Sequence, residues 1–159
     1  MVRLALYQPD IPQNAGTMLR MAACLGVAVD IVEPAGFDVS DRNFRRAGLD
    51  YLDDLEILRH PSWRAFEERR LRDGRRLVLA TTRGAVAHVD FAFAANDVVL
   101  VGQESAGVPA EVHEAADARV VVPMHHGMRS LNVAVSAAMI LGEALRQTAS
   151  FPKSSEAAA

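Results

Sequence analysis

Unbroken apolar runs of strand length, each followed by a segment of helical character, constrain this chain more than any other feature. Residues 98–101 read VVLV and residues 77–80 read LVLA. A strand with one wet face alternates apolar and polar side chains, so a run that is apolar throughout belongs to a strand covered on both faces. Residues 3–7, 28–32, 56–58 and 120–122 are the other strand candidates. Helices fit between them. Asn14 is placed to cap a helix ending at Leu25, with Gly26 as its stop. Ser40 caps a short helix ending at Gly48, and Ser62 caps one reaching about Leu71. Pro109 suits the first turn of a helix ending near Ala116. The last helix runs from about Ser130 to Gln147. This alternation predicts an α/β fold, a mostly parallel sheet flanked by helices. Periodicity alone points to an open, doubly wound sheet. One domain over residues 1–150 leaves only 151–159 as a frayed tail.

Composition narrows the function classes. Half of the 159 residues are hydrophobic, which suits a globular chain. The formal net charge of −3 argues against a generic nucleic-acid coat protein but leaves room for a local basic patch. Lys153 is the only lysine, so the positive charge is arginine, which binds phosphate in a planar, bidentate way. Cys24 is the only cysteine, so neither an internal disulfide nor a cysteine zinc site is expected. The first apolar run is too short for a signal peptide and none has transmembrane length, so a soluble, cytoplasmic protein is expected. The loop after the first strand, QPDIPQNAG, is not G-x-G-x-x-G, and no G-x-x-x-x-G-K-[ST] occurs. His125 and His126 are adjacent and point different ways, which makes a poor metal pair, and no metal is expected.

Three loops stand out. In PQNAGTMLR, Asn14 and Gly16 open a helix that carries Arg20 one and a half turns on. In LVGQESAGVP, a buried strand ends at Gly102, followed by Glu104 and a second glycine, Gly107. Glycines beyond a strand's carboxyl end allow close approach of a ligand, and open α/β sheets bind ligands there. In VVPMHHGMRSLN, a strand ends at Pro123, and Arg129, Ser130 and Asn132 form a polar mouth on the most apolar helix of the chain.

Taken in order, N-x-G-x-x-x-R (Asn14, Gly16, Arg20), V-G-x-E-x-x-G-[VL]-P (Val101 to Pro109) and [IV]-P-M with R-S-[LM]-N (Val122 to Met124, Arg129 to Asn132) resemble the three motifs of the SPOUT RNA methyltransferases. The arginine of the first motif and the S-x-N pair resemble the branch that methylates ribose 2′-hydroxyls. LYQPDIPQNAG, IVEPAGF, RRAGLDY and the two threonines at 81–82 resemble its short single-domain members, which act on the wobble cytidine or uridine of tRNA. The resemblance covers essentially residues 2–148. One departure is Gln103, where many relatives have proline; its backbone is expected to matter more than its side chain.

The resemblance implies S-adenosyl-L-methionine as methyl donor, a C-terminal deep trefoil knot, tRNA as substrate (with leucine tRNAs the expected acceptors), and a homodimer whose active site lies at the subunit interface. It implies that the cofactor is held near Ala80, Thr81, Gly102, Gln103, Glu104, Val122, Met124, Ser130 and Leu131. Arg20, Glu104, Ser130 and Asn132 would be catalytic. Asn14, Arg20, Arg42, Arg45 and Arg46 would meet the RNA. Arginine is too weak an acid to serve as a base, so Arg20 is expected to position phosphate and stabilise oxyanion charge. The arginines of residues 69–76 are interspersed with acids and are read as solvated helix surface. Two alternatives stand beside this reading: the same chemistry on another RNA such as rRNA, and a non-catalytic RNA- or nucleotide-binding module.

Overall fold

The computed structural model describes residues 1–38, 52–83 and 86–153. Its centre is a seven-stranded sheet in the order β3-β2-β1-β6-β4-β7-β5, with every paired strand parallel. The strands are β1 (Arg3–Tyr7), β2 (Val29–Val32), β3 (Ile57–His60), β4 (Arg76–Ala80), β5 (Val86–Ala87), β6 (Asp97–Val101) and β7 (Ala118–Val121). The helices are α1 (Pro12–Leu25), α2 (Trp63–Arg72), α3 (Ala110–Ala115) and α4 (Val133–Gln147), with a short 3-10 turn at Leu52–Asp54.

The central strands are largely apolar because both of their faces are covered. Leu4 and Leu6 of β1 join the core beneath α1 and α4, with Met18, Leu19, Ile140 and Leu141. Ala5 and Tyr7, one residue out of phase, join the opposite core with Phe66 of α2 and Val112 of α3. Successive side chains of a strand point to opposite faces, so β1, β2, β4 and β6 feed both cores.

Caps decide where the helices begin. Ser62 accepts a hydrogen bond from the Ala65 amide at 3.2 Å and starts α2. Gly26 ends α1 in the left-handed region, with φ 65°. The cap expected from Asn14 is not made. The helix starts earlier, at Pro12 with Ile11 as its N-cap, because a proline's fixed φ and missing N–H fit the first helical position. Pro109 is likewise the N-cap of α3 rather than part of its first turn. The last helix starts at Val133, not Ser130: the Asn132 side-chain Oδ1 accepts from the amides of Ala134 at 2.8 Å and Val135 at 3.3 Å. The Ser40–Gly48 helix lies outside the described residues, as do Arg42, Arg45, Arg46 and the RRAGLDY segment.

The arginines of residues 69–76 divide into two kinds. Arg69 is half-exposed beside Asp73, as expected for helix surface. Arg70 is buried against Glu67 and Asp117, and Arg76 reaches the fully buried Asp97 at 2.6 Å, so these two brace the fold instead of facing solvent. Both guanidinium groups are held charged: the hydrogen bonds they donate to Glu67 and to Asp97, respectively, raise their pKa values against the opposing effect of burial.

Candidate active site

All strands being parallel, their carboxyl ends share one edge of the sheet, and the three loops of interest meet there. Between them lies a cavity of about 390 Å³. Its walls come from the end of β4 (Ala80 to Arg83), the β6–α3 loop (Gly102 to Val108), and the segment from β7 into α4 (Val120 to Val133). Every residue expected to hold the cofactor lines it: Ala80, Thr81, Gly102, Gln103, Glu104, Val122, Met124, Ser130 and Leu131. Ser136 and Ile140 of α4 close its floor.

The β6–α3 loop is a tight hairpin. Gln103 and Gly107 exchange backbone hydrogen bonds at 2.9 and 2.8 Å, and Gly107 sits at φ +64°. A Cβ on Gly102 would stand 2.6 Å from the Gly107 carbonyl carbon, so only glycine permits this closure. The Gln103 side chain also takes part, donating to the Gln8 carbonyl oxygen at 3.1 Å. Its amide thus adds one bond to the two that its backbone makes with Gly107. Asp10, in the β1–α1 loop, accepts from the Glu104 amide at 3.2 Å and from the Ser105 hydroxyl. Burial alone would raise the Asp10 pKa. The bonds from Ser105 and the loop amides outweigh it and hold the carboxyl below its ordinary value.

A line of side chains crosses the mouth of the cavity. Glu104 accepts from the Asn14 amide group, and Asn14 in turn accepts from Asn132 at 2.9 Å. Asn132 uses its remaining oxygen to cap α4. Thus one residue from each of the three motifs joins one hydrogen-bonded relay. Ser130 and Arg129 lie on the cavity wall beside it. Arg20 is not brought to the wall; it is an exposed residue of α1, one and a half turns beyond Asn14. His125 and His126 are exposed loop residues. Among the described residues, no group of three or more His, Cys, Asp or Glu side chains is placed to hold a metal ion.

One wall residue carries no motif signal. His113 of α3 lines the cavity, and Arg119 of β7 donates to its Nδ1 at 3.1 Å. Its only mark in the sequence is a polar residue on an otherwise simple short helix.

A parallel α/β sheet with a nucleotide-sized cavity at its strand ends, rimmed by oriented amides and a carboxylate, defines an α/β enzyme that binds its ligand at the carboxyl edge of the sheet. The chain belongs to the SpoU rRNA Methylase family, whose model matches residues 1–142. It is 69% identical over 150 residues to a tRNA (cytidine(34)-2′-O)-methyltransferase of Ancylobacter novellus, covering 94% of this chain and 95% of that one. A solved structure from work on 2-OH methylation of C/U34 on tRNA superposes with a TM-score of 0.86 at 40% identity, over 92% of this chain and 95% of that one. The SpoU methyltransferase AviRb of Streptomyces viridochromogenes, solved with the cofactor AdoMet, superposes with a TM-score of 0.81 at 30% identity. That match covers 96% of this chain and 59% of AviRb.

Proposed function

We propose that this protein transfers a methyl group from S-adenosyl-L-methionine to the ribose 2′-hydroxyl of the wobble cytidine or uridine of tRNA, with leucine tRNAs as acceptors. The observation that carries the reading is the relay Glu104–Asn14–Asn132, in which three separate motifs meet at the mouth of one cavity. The cavity suits the donor. Its volume of about 390 Å³ falls in the range of small-molecule sites. The Gly102–Gly107 closure shapes the cavity wall by bringing two backbone segments together where a Cβ would intrude. Ala80, Thr81, Gly102 to Glu104, Val122, Met124, Ser130 and Leu131 hold it there.

When bound, S-adenosyl-L-methionine supplies a methyl group already activated on sulfur. The chain's own residues do the rest. Asn132 and Ser130 orient the reacting groups, and Asn14 fixes the Glu104 carboxylate. Arg20 binds a substrate phosphate and stabilises the charge that develops on the ribose oxygen. Arg42, Arg45 and Arg46 add phosphate contacts from the segment outside the described residues.

The working unit is a cytoplasmic homodimer, each chain a single domain over residues 1–150 with its C-terminal third threaded as the family's trefoil knot. Val135 and Met139, one turn apart on α4, and Leu131 just before the helix support the dimer, because they expose 48, 43 and 39% of their surface. That helix buries Ala134, Ala137, Ile140, Leu141, Ala144 and Leu145 in its own chain, partly against α1, and leaves the other side open. A second subunit laid there would bring its own Arg20 to the cavity.

Mass spectrometry of nucleosides from a deletion strain tests the substrate. Loss of 2′-O-methylation at the wobble nucleotide of leucine tRNAs, restored by the wild-type gene, is expected. Unchanged tRNA with a missing methyl group in rRNA would move the activity to ribosomal substrate.

A further inference from the structure

Arg83, just beyond β4, and Arg129, in the segment from β7 into α4, both line the cavity and are both exposed. Among the described residues neither guanidinium has a hydrogen bond or an ion pair, and none joins them to Glu104 on the same wall. Every other arginine among those residues is engaged. Most face a carboxylate, as Arg64 faces Glu68 at 2.8 Å and Arg146 faces Glu143 at 2.7 Å. Arg75 and Arg119 reach the carbonyl oxygens of Met1 and His113, and Arg20 also has a partner. Arginine charge is thus matched by acceptors elsewhere on the described surface and left unmatched at the mouth of the cavity.

The placement of the two fits one anion chemistry. Arg129 directly precedes Ser130 and stands three residues before Asn132, at one end of the relay. β4 and β7 are paired, so the segments that carry Arg83 and Arg129 leave from adjacent strand ends. In RNA the 2′-hydroxyl and the 3′-phosphate sit on neighbouring carbons of one ribose. A site that presents the 2′-oxygen to Ser130 and Asn132 must take in that phosphate beside it, and a guanidinium matches phosphate in a planar, bidentate way. We infer that Arg83 and Arg129 are RNA-binding residues whose guanidinium groups take the backbone phosphates flanking the target ribose. The inference rests on the RNA substrate proposed above and adds the rim of the cavity to the surface that meets it. Exposure of both side chains favours RNA over the carboxylate of the donor, because RNA lies across the rim while the donor fills the space beneath.

Filter-binding titration of an unmodified leucine tRNA transcript with the full chain, at several salt concentrations, tests it. Arg83→Gln and Arg129→Gln should each weaken tRNA binding about fivefold and lower the salt slope by about one. Their affinity for S-adenosylhomocysteine, by calorimetry, should stay within about twofold of wild type. Their melting temperatures should not change, because neither side chain braces the fold. Arg129→Lys keeps the charge and should recover part of the loss. Arg64→Gln is the control: Arg64 is exposed on α2 and does not line the cavity, so its loss should leave tRNA affinity within about twofold of wild type. Equal weakening in Arg64→Gln would reduce the effect to bulk charge and overturn the inference. Rim variants that bind tRNA normally would overturn it too, and a fall in S-adenosylhomocysteine affinity with tRNA binding intact would give both arginines to the donor. Wild-type protein that binds no tRNA overturns the RNA reading and this inference together.

Discussion

The side chain of Asn132 donates to Asn14 at 2.9 Å, joining the starts of two helices 118 residues apart in the chain. The same Asn132 caps α4, so one residue carries a local and a long-range task.

Substitution separates the two tasks. Asn132→Ala loses both and should cost about 1 kcal/mol of stability through the cap alone. Asn132→Ser keeps a capping oxygen but cannot reach Asn14, so its stability should stay within a few tenths of a kcal/mol of wild type while methyl transfer falls. Denaturant melts beside single-turnover rates measure this. Full activity in Asn132→Ser would remove the Asn14 bond from the mechanism.

Gly102→Ala should disable the cavity through its wall. The added Cβ meets the Gly107 backbone at 2.6 to 2.9 Å and forces the hairpin open. A loss of about 1–3 kcal/mol in stability is expected, together with loss of S-adenosylhomocysteine binding by calorimetry. A stable Gly102→Ala protein that binds normally would contradict the closeness of this approach.

Arg20→Ala should keep cofactor affinity, since Arg20 lies off the cavity wall, and lose more than about tenfold in methyl transfer, roughly 1.4 kcal/mol of barrier. Light scattering should give twice the chain mass. Mixing inactive Arg20→Ala with inactive Asn132→Ala subunits should restore part of the activity, because one site of each mixed dimer regains both residues. A monomeric mass would end the dimer reading; a dimer without rescue would end only the shared site.

The Asp10 clamp has a defined pH signature. Its folded pKa lies below the ordinary 3.8, so its carboxylate stabilises the fold fully above that value. The contribution is lost as pH falls through the lower folded value. Asp10→Asn should therefore melt below wild type at neutral pH, with the gap closing in acid. A gap of constant size down the acid range would show that the charge of Asp10 is immaterial to the hairpin.

The strands were legible because two covered faces leave an unbroken apolar signature, as in residues 98–101. β5 was not: it has two residues, and Val86 is 48% exposed, so no pattern forms. Cap chemistry misled at Asn14 and Ser130, since each has a capping side chain in a suitable place. Proline geometry took the start of α1, and Asn132 took that of α4. Asn14 was thereby left free to bond across the fold. The cavity wall was readable from its motifs, whereas the bond from Arg119 to His113 joins partners that no spacing rule names.

The placement of α4 bears on how the protein is made. Val133–Gln147 fills the core against Leu4, Leu6 and Met18, which leave the ribosome long before it. A growing chain therefore holds the apolar underside of β1 and α1 open until α4 has emerged. The ligand cavity cannot exist before that final helix docks, because Val133, Ser136 and Ile140 form part of it. A complete cavity is thus a property only of a chain in which α4 has been made, and a ribosome stalled before α4 would display a sticky, ligand-blind intermediate to the quality-control machinery of the cell.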